Sequence, residues 1–203
     1  MSFRFRDAAL DDFDAILELN RMAGVSVAPI DHARLASRFE TASYFRVAEH
    51  QERVVGFLIA GDASTAIGNA GFRWFRERHP SFAYIDRIVV AQAHRGHGLG
   101  RIFYADMTSF AEVRVPVLGC QVSLEPRDDA SVLFHASLGF HEVAQLAPAE
   151  GGRIGVMELN MCSHAFIRER YLEAGADALP DLPWLAARTA PPTLPTACAV
   201  GFS

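Results

Sequence analysis

Six consecutive residues, Arg95-Gly96-His97-Gly98-Leu99-Gly100, carry the clearest chemistry in this sequence. Glycines at alternate positions allow positive φ and let a ligand approach the backbone closely. Leu99, Ile102, Phe103, Met107, Phe110 and Ala111 follow at helical spacing on one face, so the turn opens a helix. A helix N-terminus presents unpaired N–H groups and the positive end of a dipole. Arg95 and Arg101 add charge, with His94 and His97 beside them. This combination suits a phosphate, most simply a pyrophosphate. The spacing is not the G-x-G-x-x-G of dinucleotide sites, and no G-x-x-x-x-G-K-[ST] is present. A glycine-rich turn that merely joins strand to helix is the bland alternative.

Two further places carry titratable groups in a patterned setting. Tyr84-Ile85-Asp86-Arg87-Ile88-Val89-Val90, just before the turn, reads as a strand of β-branched and aromatic residues. Asp86 stands in it as a candidate base, or as an ion-pair partner of Arg87 or of a helix residue. Asp128-Asp129-Ala130-Ser131-Val132-Leu133-Phe134-His135-Ala136-Ser137-Leu138-Gly139-Phe140 reads as a capped apolar helix that ends at Gly139.

The turn fits every position of (Arg/Gln)-x-x-Gly-x-(Gly/Ala), and in this it resembles the acetyl-CoA signature of the GNAT superfamily of N-acetyltransferases. The second stretch resembles that family's Asn-x-x-Ala-x-x-x-Tyr-x-x-x-Gly-Phe. Ser131 takes the small position and Gly139-Phe140 close the helix, while Asp128 replaces Asn and His135 replaces Tyr. The Asp86–Val90 strand and Phe134-His135 are similar to a little-characterised bacterial branch. The resemblance covers roughly residues 3 to 161.

The resemblance implies a CoA site at Ile88, Val89, Val90, Arg95, Gly96, His97, Gly98, Leu99, Gly100, Arg101, Asp128, Ser131 and Phe134. It implies that the strand splays near Ile88–Val90, where a backbone N–H such as that of Val90 polarises the thioester. The usual Tyr is the acid that protonates the departing thiolate, which makes His135 the candidate acid here. An imidazole with pKa near ~6.5 can donate to a thiolate whose conjugate acid is near ~8.5. The other reading of His135 is a partly buried histidine bonded to a backbone carbonyl. Asp86 is the candidate base and Glu125 its fallback, while Asn20, Asn69 and Trp74 are expected at the acceptor.

The remaining elements must position these groups. Strands are expected at Phe3–Arg6, Tyr44–Glu49, Val54–Ala60, Val117–Leu124, Phe140–Leu146 and Arg153–Met161. Helices are expected from Phe13 to before Gly24, with Asp7 or Asp11 as cap, and from Asp31 to Glu40, with a break at Val25–Pro29 between them. The order matches the GNAT opening, in which that break forms a wall of the acceptor site. Gly61–Pro80 is an aromatic insertion, either a short helix over Phe72–Arg78 on the sheet or a lid. The expected class is α/β, a twisted, mostly antiparallel mixed sheet with helices on both faces.

Residues 1–162 are expected to form this domain and 163–203 an extension, a helix over Phe166–Leu172 and then a proline-rich arm. That arm is either a poorly ordered tail or a strap anchored by Trp184.

Half of the 203 residues are hydrophobic and 21% are charged, which describes a globular chain. A net charge of −5 argues against broad nucleic-acid binding. Cys120, Cys162 and Cys198 show no disulfide or metal spacing, so incidental thiols in a reducing compartment are expected and no metal. No apolar run reaches membrane length and Met1–Asp7 is no signal peptide, which predicts a cytoplasmic protein, with a homodimer as one expectation. The function expected is direct acetyl transfer from acetyl-CoA to a primary amine of a small molecule or amino acid, or of a protein N-terminus. The rival is a non-catalytic acyl-CoA sensor.

Overall fold

A computed structural model describes residues 2–24, 27–149 and 151–172. The chain divides into a unit of residues 1–165 and a second that begins at Phe166. In the first unit the elements run β1 (Arg4–Asp7), α1 (Phe13–Met22), α2 (His32–Thr41), β2 (Tyr44–His50), β3 (Arg53–Asp62) and α3 (Ala70–Arg78). They continue with β4 (Ala83–Val90), α4 (Leu99–Glu112), β5 (Val117–Glu125), α5 (Asp129–Ala136), β6 (His141–Leu146) and β7 (Arg153–Asn160). His164–Ile167 forms a helical turn and Arg168–Leu172 a π-helical turn; a helix over Phe166–Leu172 was expected. Trp184 and the proline-rich arm lie outside the described residues, as do Val25 and Ser26 of the expected break.

The seven strands form one sheet in the order β1-β2-β3-β4-β5-β7-β6. Every neighbouring pair is antiparallel except β4 and β5. Period-two alternation sends the two faces of each strand to different cores. On β3, Leu58 joins Phe103 and Met107 of α4, while Phe57 and Ile59 join Phe13 and Ile16 of α1 and Leu35 of α2. Helices therefore cover both faces, as expected.

The Gly61–Pro80 insertion takes the helical reading. Asn69 caps α3 by accepting from the Phe72 N–H, so the helix starts two residues before Phe72. Phe72 and Phe75 pack beside Tyr84 of β4 and Val156 of β7, on the same face as α1 and α2. The close approach depends on Gly119, where a Cβ would come within 2.4 Å of the Phe75 ring.

Asp7 and Asp11 do not cap α1. A single 3-10 turn, Leu10–Asp12, precedes it, and Asp12 accepts from the Ala9 N–H at 2.8 Å.

Two irregularities in β4 shape the centre. Its pairing with β5 stops after Ala83↔Leu118 and Tyr84↔Gly119, so the strands part beyond Tyr84. Against β3, Arg87 pairs with Ile59 and Ile85 with Ala60, which leaves Asp86 as the extra residue of a bulge.

Candidate functional site

The parted strands leave a gap along which β4 backbone has no strand partner in β5. The Ala91 N–H donates to the Val55 carbonyl of β3 at 2.8 Å. Successive N–H groups along a strand point to opposite sides, so those of Val90 and Ile88 face away from β3, into the gap. The Val90 carbonyl faces the same way and accepts from Arg95 Nε at 3.1 Å. The Val89 side chain, by contrast, is buried in the core under α1 and α2.

The glycine turn closes one end of this gap. Gly96 and Gly98 have φ of +80° and +81°, conformations that favour glycine. Beyond the adjoining backbone, no heavy atom lies within 4 Å of where a Cβ would sit at either. Gly98 is the N-cap of α4 and no side chain caps that helix, so its first N–H groups are left for a ligand. The Leu99 side chain is buried in the core, so its contribution to an anion is backbone only. Arg95 and His97 are exposed, and Arg101 reaches Ser137 of the segment after α5 at 3.4 Å. Phe134 of α5 lies 3.2 Å from the Cβ position of Gly100.

These residues suit a molecule with a diphosphate and a long arm. Uncapped N–H groups and two arginines stand together at the turn, beside the gap edged by β4. The expected residues of the turn and of β4 thus lie together. Asp128 and Ser131 stand at the start of α5, where Asp128 spends its carboxylate on the Ser131 N–H at 3.0 Å.

His135 takes the second of its two readings. It is buried, with both ring nitrogens engaged. The Ser131 carbonyl, 2.7 Å from Nδ1, can only accept, so Nδ1 carries the proton. Nε2 is then an acceptor and takes the Tyr104 O–H at 2.6 Å. Burial lowers the pKa of His135, against the opposing effect of the Ser131 hydrogen bond. A neutral imidazole whose only N–H is given to a backbone carbonyl presents no free proton in this arrangement. Burial likewise raises the Tyr104 hydroxyl and the Cys120 thiol, so neither is an ionised group at neutral pH.

Asp86 also takes its ion-pair reading. Its side chain is 3% exposed, and Oδ2 accepts from Arg87 Nε at 3.0 Å and from Arg38 Nε at 3.2 Å. Asn69 Nδ2 stands 3.4 Å from Oδ1. Arg87 Nη1 donates onward to Asn20 Oδ1 at 2.8 Å and to the Ala28 carbonyl at 3.0 Å. Tyr84 Oη lies 3.0 Å from Asn69 Oδ1 and 3.3 Å from Gln121 Oε1, which also accepts from the Gly71 N–H. The expected Asn20, Asn69 and Asp86 are therefore joined in one polar network on the face shared by α1, α2 and α3.

Trp74 is not part of that network; it packs against Phe75 and His79, with the Arg78 guanidinium 4.7 Å from its ring centroid. Glu125 pairs with Arg153 at the far end of β5. A cavity of about 820 Å³ opens between α1 and the segment before α2, and Asn20 and Ala28 are among its walls with Asp14, Glu18 and Asp31. Sequence reasoning missed Arg38, Tyr104 and Gln121. For Arg87 the signal was present, because two adjacent charged residues inside an apolar strand break its alternation.

Among the described residues no group of three His, Cys, Asp or Glu side chains could hold a metal ion, and no helix is long and apolar enough to cross a membrane.

In sequence, the chain matches none of the curated proteins. In structure it is similar to the ribosomal-protein-alanine N-acetyltransferase of Brucella melitensis, with 25% identity, a TM-score of 0.58, and coverage of 77% of this chain and 99% of that one. Ard1 of Thermoplasma volcanium gives a TM-score of 0.65 at 15% identity, covering 79% and 98%. YncA of Salmonella typhimurium, solved with its cofactor acetyl-CoA, gives 0.59 at 22% identity, covering 79% and 95%. Residues 13–140 match the model of the acetyltransferase (GNAT) family, a span that runs from α1 through both glycine-bearing stretches. The chain belongs to the GNAT family of acetyltransferases.

Proposed function

We propose that this acetyltransferase moves the acetyl group of acetyl-CoA directly to a primary amine of a small molecule or amino acid. The observation that carries the reading is the pair of Ile88 and Val90 N–H groups turned into the gap, with the uncapped N-terminus of α4 at its end. Acetyl-CoA supplies an activated thioester. The chain's own part is to hold the diphosphate at Gly96–Arg101 and to receive developing negative charge on the Val90 N–H. α5 walls the arm through Ser131 and Phe134. The amine enters from the face of Asn20, Asn69 and Asp86.

The proton that leaves the amine nitrogen is the one the departing sulfur needs. Water can carry it, so no side-chain acid is required and Cys120 is not a nucleophile. Acid chemistry at His135 would need its ring to turn away from Tyr104 and Ser131. The occupied His135 ring also favours the second reading, a sensor that binds acyl-CoA without turnover.

Calorimetric titration with acetyl-CoA, dephospho-CoA and ATP, followed by free-thiol release over a panel of amines, separates the readings. Acetyl-CoA binding with amine-dependent thiol release is the expected result. Binding without release for any amine would make the protein a sensor, and no binding would overturn the assignment of the glycine turn.

A further inference from the structure

The network around Asp86 does not balance in charge. Arg38 and Arg87 are 13% and 8% exposed, and both bring Nε to the same oxygen of one carboxylate. Their other bonds run to neutral acceptors: Arg38 Nη1 to the Ala66 carbonyl, Arg87 Nη1 to Asn20 and to the Ala28 carbonyl. Two guanidinium ions against one carboxylate leave one positive charge on largely buried side chains. Buried charges are ordinarily paired. Among the described residues, Asp86 is the only carboxylate in an ion pair with either arginine.

The position of that charge matters as much as its sign. Asp86 is the bulged residue of β4, two residues past the last pairing with β5 and two before Ile88, whose N–H faces the gap. Asn20 and Ala28, which receive Arg87, are also walls of the open cavity beside α1. The excess charge thus lies next to two walls of that cavity and two residues of β4 from the gap.

We infer that Arg38 and Arg87 recognise a carboxylate on the acceptor, so that the substrate is an amino acid or a similar amine bearing one carboxylate close to its amino group. A guanidinium fork matches a carboxylate geometrically, and a single negative charge neutralises the cluster. A dianionic phosphate would overshoot it. Two residues of β4, about 7 Å, separate the bulge from the gap-facing N–H groups, a span that suits a carboxylate a few atoms from the amine. This inference rests on the acetyltransferase reading and narrows its acceptor.

The test uses matched acceptors: free amino acids and their carboxamides, in the thiol-release assay. The wild-type enzyme should favour the acid over the amide by roughly tenfold or more in kcat/KM, because the amide leaves the cluster unneutralised. Arg38→Gln should bring that ratio close to one, and Arg38→Lys should keep part of it. Acetyl-CoA affinity, read by calorimetry, should stay within about twofold in both variants, since Arg38 touches neither the turn nor the gap. A binding readout free of turnover is the melting temperature: the deamino acid should raise that of the wild type and not that of Arg38→Gln.

Amides accepted as well as acids by the wild type would overturn the inference while leaving the acetyltransferase reading in place. An acid preference unchanged in Arg38→Gln would also overturn it. If Arg38→Gln fails to fold, the wild-type ratio and Arg38→Lys decide. Failure to bind acetyl-CoA, or to release thiol with any acceptor, would overturn the reading itself and the inference with it.

Discussion

Tyr104 and His135 join α4 to α5 through a buried hydrogen bond of 2.6 Å. Phe134 and Phe140 flank the pair, with ring centroids 5.1 Å and 5.8 Å from Tyr104. In this setting His135→Phe strips a buried hydroxyl of its partner and should lower stability by about 1–3 kcal/mol. Combining it with Tyr104→Phe should cost less than the sum of the two single changes, because both break the same bond. Turnover of the folded His135→Phe protein should stay near wild type; a large fall in kcat with unchanged acetyl-CoA affinity would restore His135 as the acid.

The same histidine gives the fold a pH dependence of known sign. Its pKa in the folded protein lies below the ordinary value, chiefly from burial. The unfolded chain therefore takes up the proton first as pH falls, and the stability that the neutral ring supports is present above about 6.5. It is lost as pH drops from there through the lowered folded value. The stability gap between wild type and His135→Phe should narrow over that window in urea melts taken at stepwise lower pH. A gap independent of pH would contradict the assigned protonation state.

The glycine turn separates ligand binding from stability. At Gly98, φ of +81° costs an L-residue about 1–2 kcal/mol, and a Cβ there meets no protein atom within 4 Å beyond the adjoining backbone. A methyl group would, however, stand where an anion must approach the α4 N-terminus. Gly98→Ala should thus melt only a few degrees lower, by about 2–4 °C per kcal/mol. Its acetyl-CoA Kd should rise by roughly tenfold or more. Equal affinity in calorimetry would place the diphosphate elsewhere.

This turn was legible because everything that defines it is local. Glycine spacing, an apolar strand before it and a helical face after it lie within about twenty-five residues. The strands and most helices were legible for the same reason, each having its own period. Even α3 announced itself through Phe72, Trp74 and Phe75, although its Asn69 cap set the start two residues earlier. What stayed hidden depends on contact between distant segments. Arg38 meets Asp86 across 48 residues of sequence, and Tyr104 meets His135 across 31. No spacing rule links such pairs. His135 and Asp86 each allowed two readings, and only their partners decide between proton transfer and structural bonding.

Arg6 shows a second kind of buried pairing, at the edge of the sheet. Its guanidinium grips both oxygens of Asp12 at 2.6 and 2.8 Å and reaches Glu49 at 2.9 Å. Burial alone would raise the Asp12 carboxyl, but the hydrogen bonds from Arg6 and from the Ala9 N–H outweigh it and hold the pKa below the usual range. The pair therefore stabilises the fold above about pH 4, and that contribution is lost as pH falls through the lowered folded value. Arg6→Met should cost about 1–3 kcal/mol at pH 7 and progressively less in acid. Parallel acid titrations followed by circular dichroism would show the two curves converging; a constant offset would argue against the pairing.

Asp86→Asn distinguishes the ion-pair role from the base role most directly. The change is nearly isosteric, yet it leaves Arg38 and Arg87 side by side without a carboxylate. Breaking a buried ionic group from one side costs about 3–5 kcal/mol, so the variant should melt roughly 10 °C or more below wild type. Adding Arg38→Gln should recover part of that loss, since a single guanidinium is then left facing neutral acceptors. A base would behave otherwise: Asp86→Asn would fold with near wild-type stability, lose turnover at neutral pH and regain it as the amine deprotonates in alkali. Recovery by the second substitution, with a pH–rate profile unchanged in shape for whatever activity is left, is the expected pattern. It follows from a carboxylate whose Oδ2 is shared by two guanidiniums inside the sheet face.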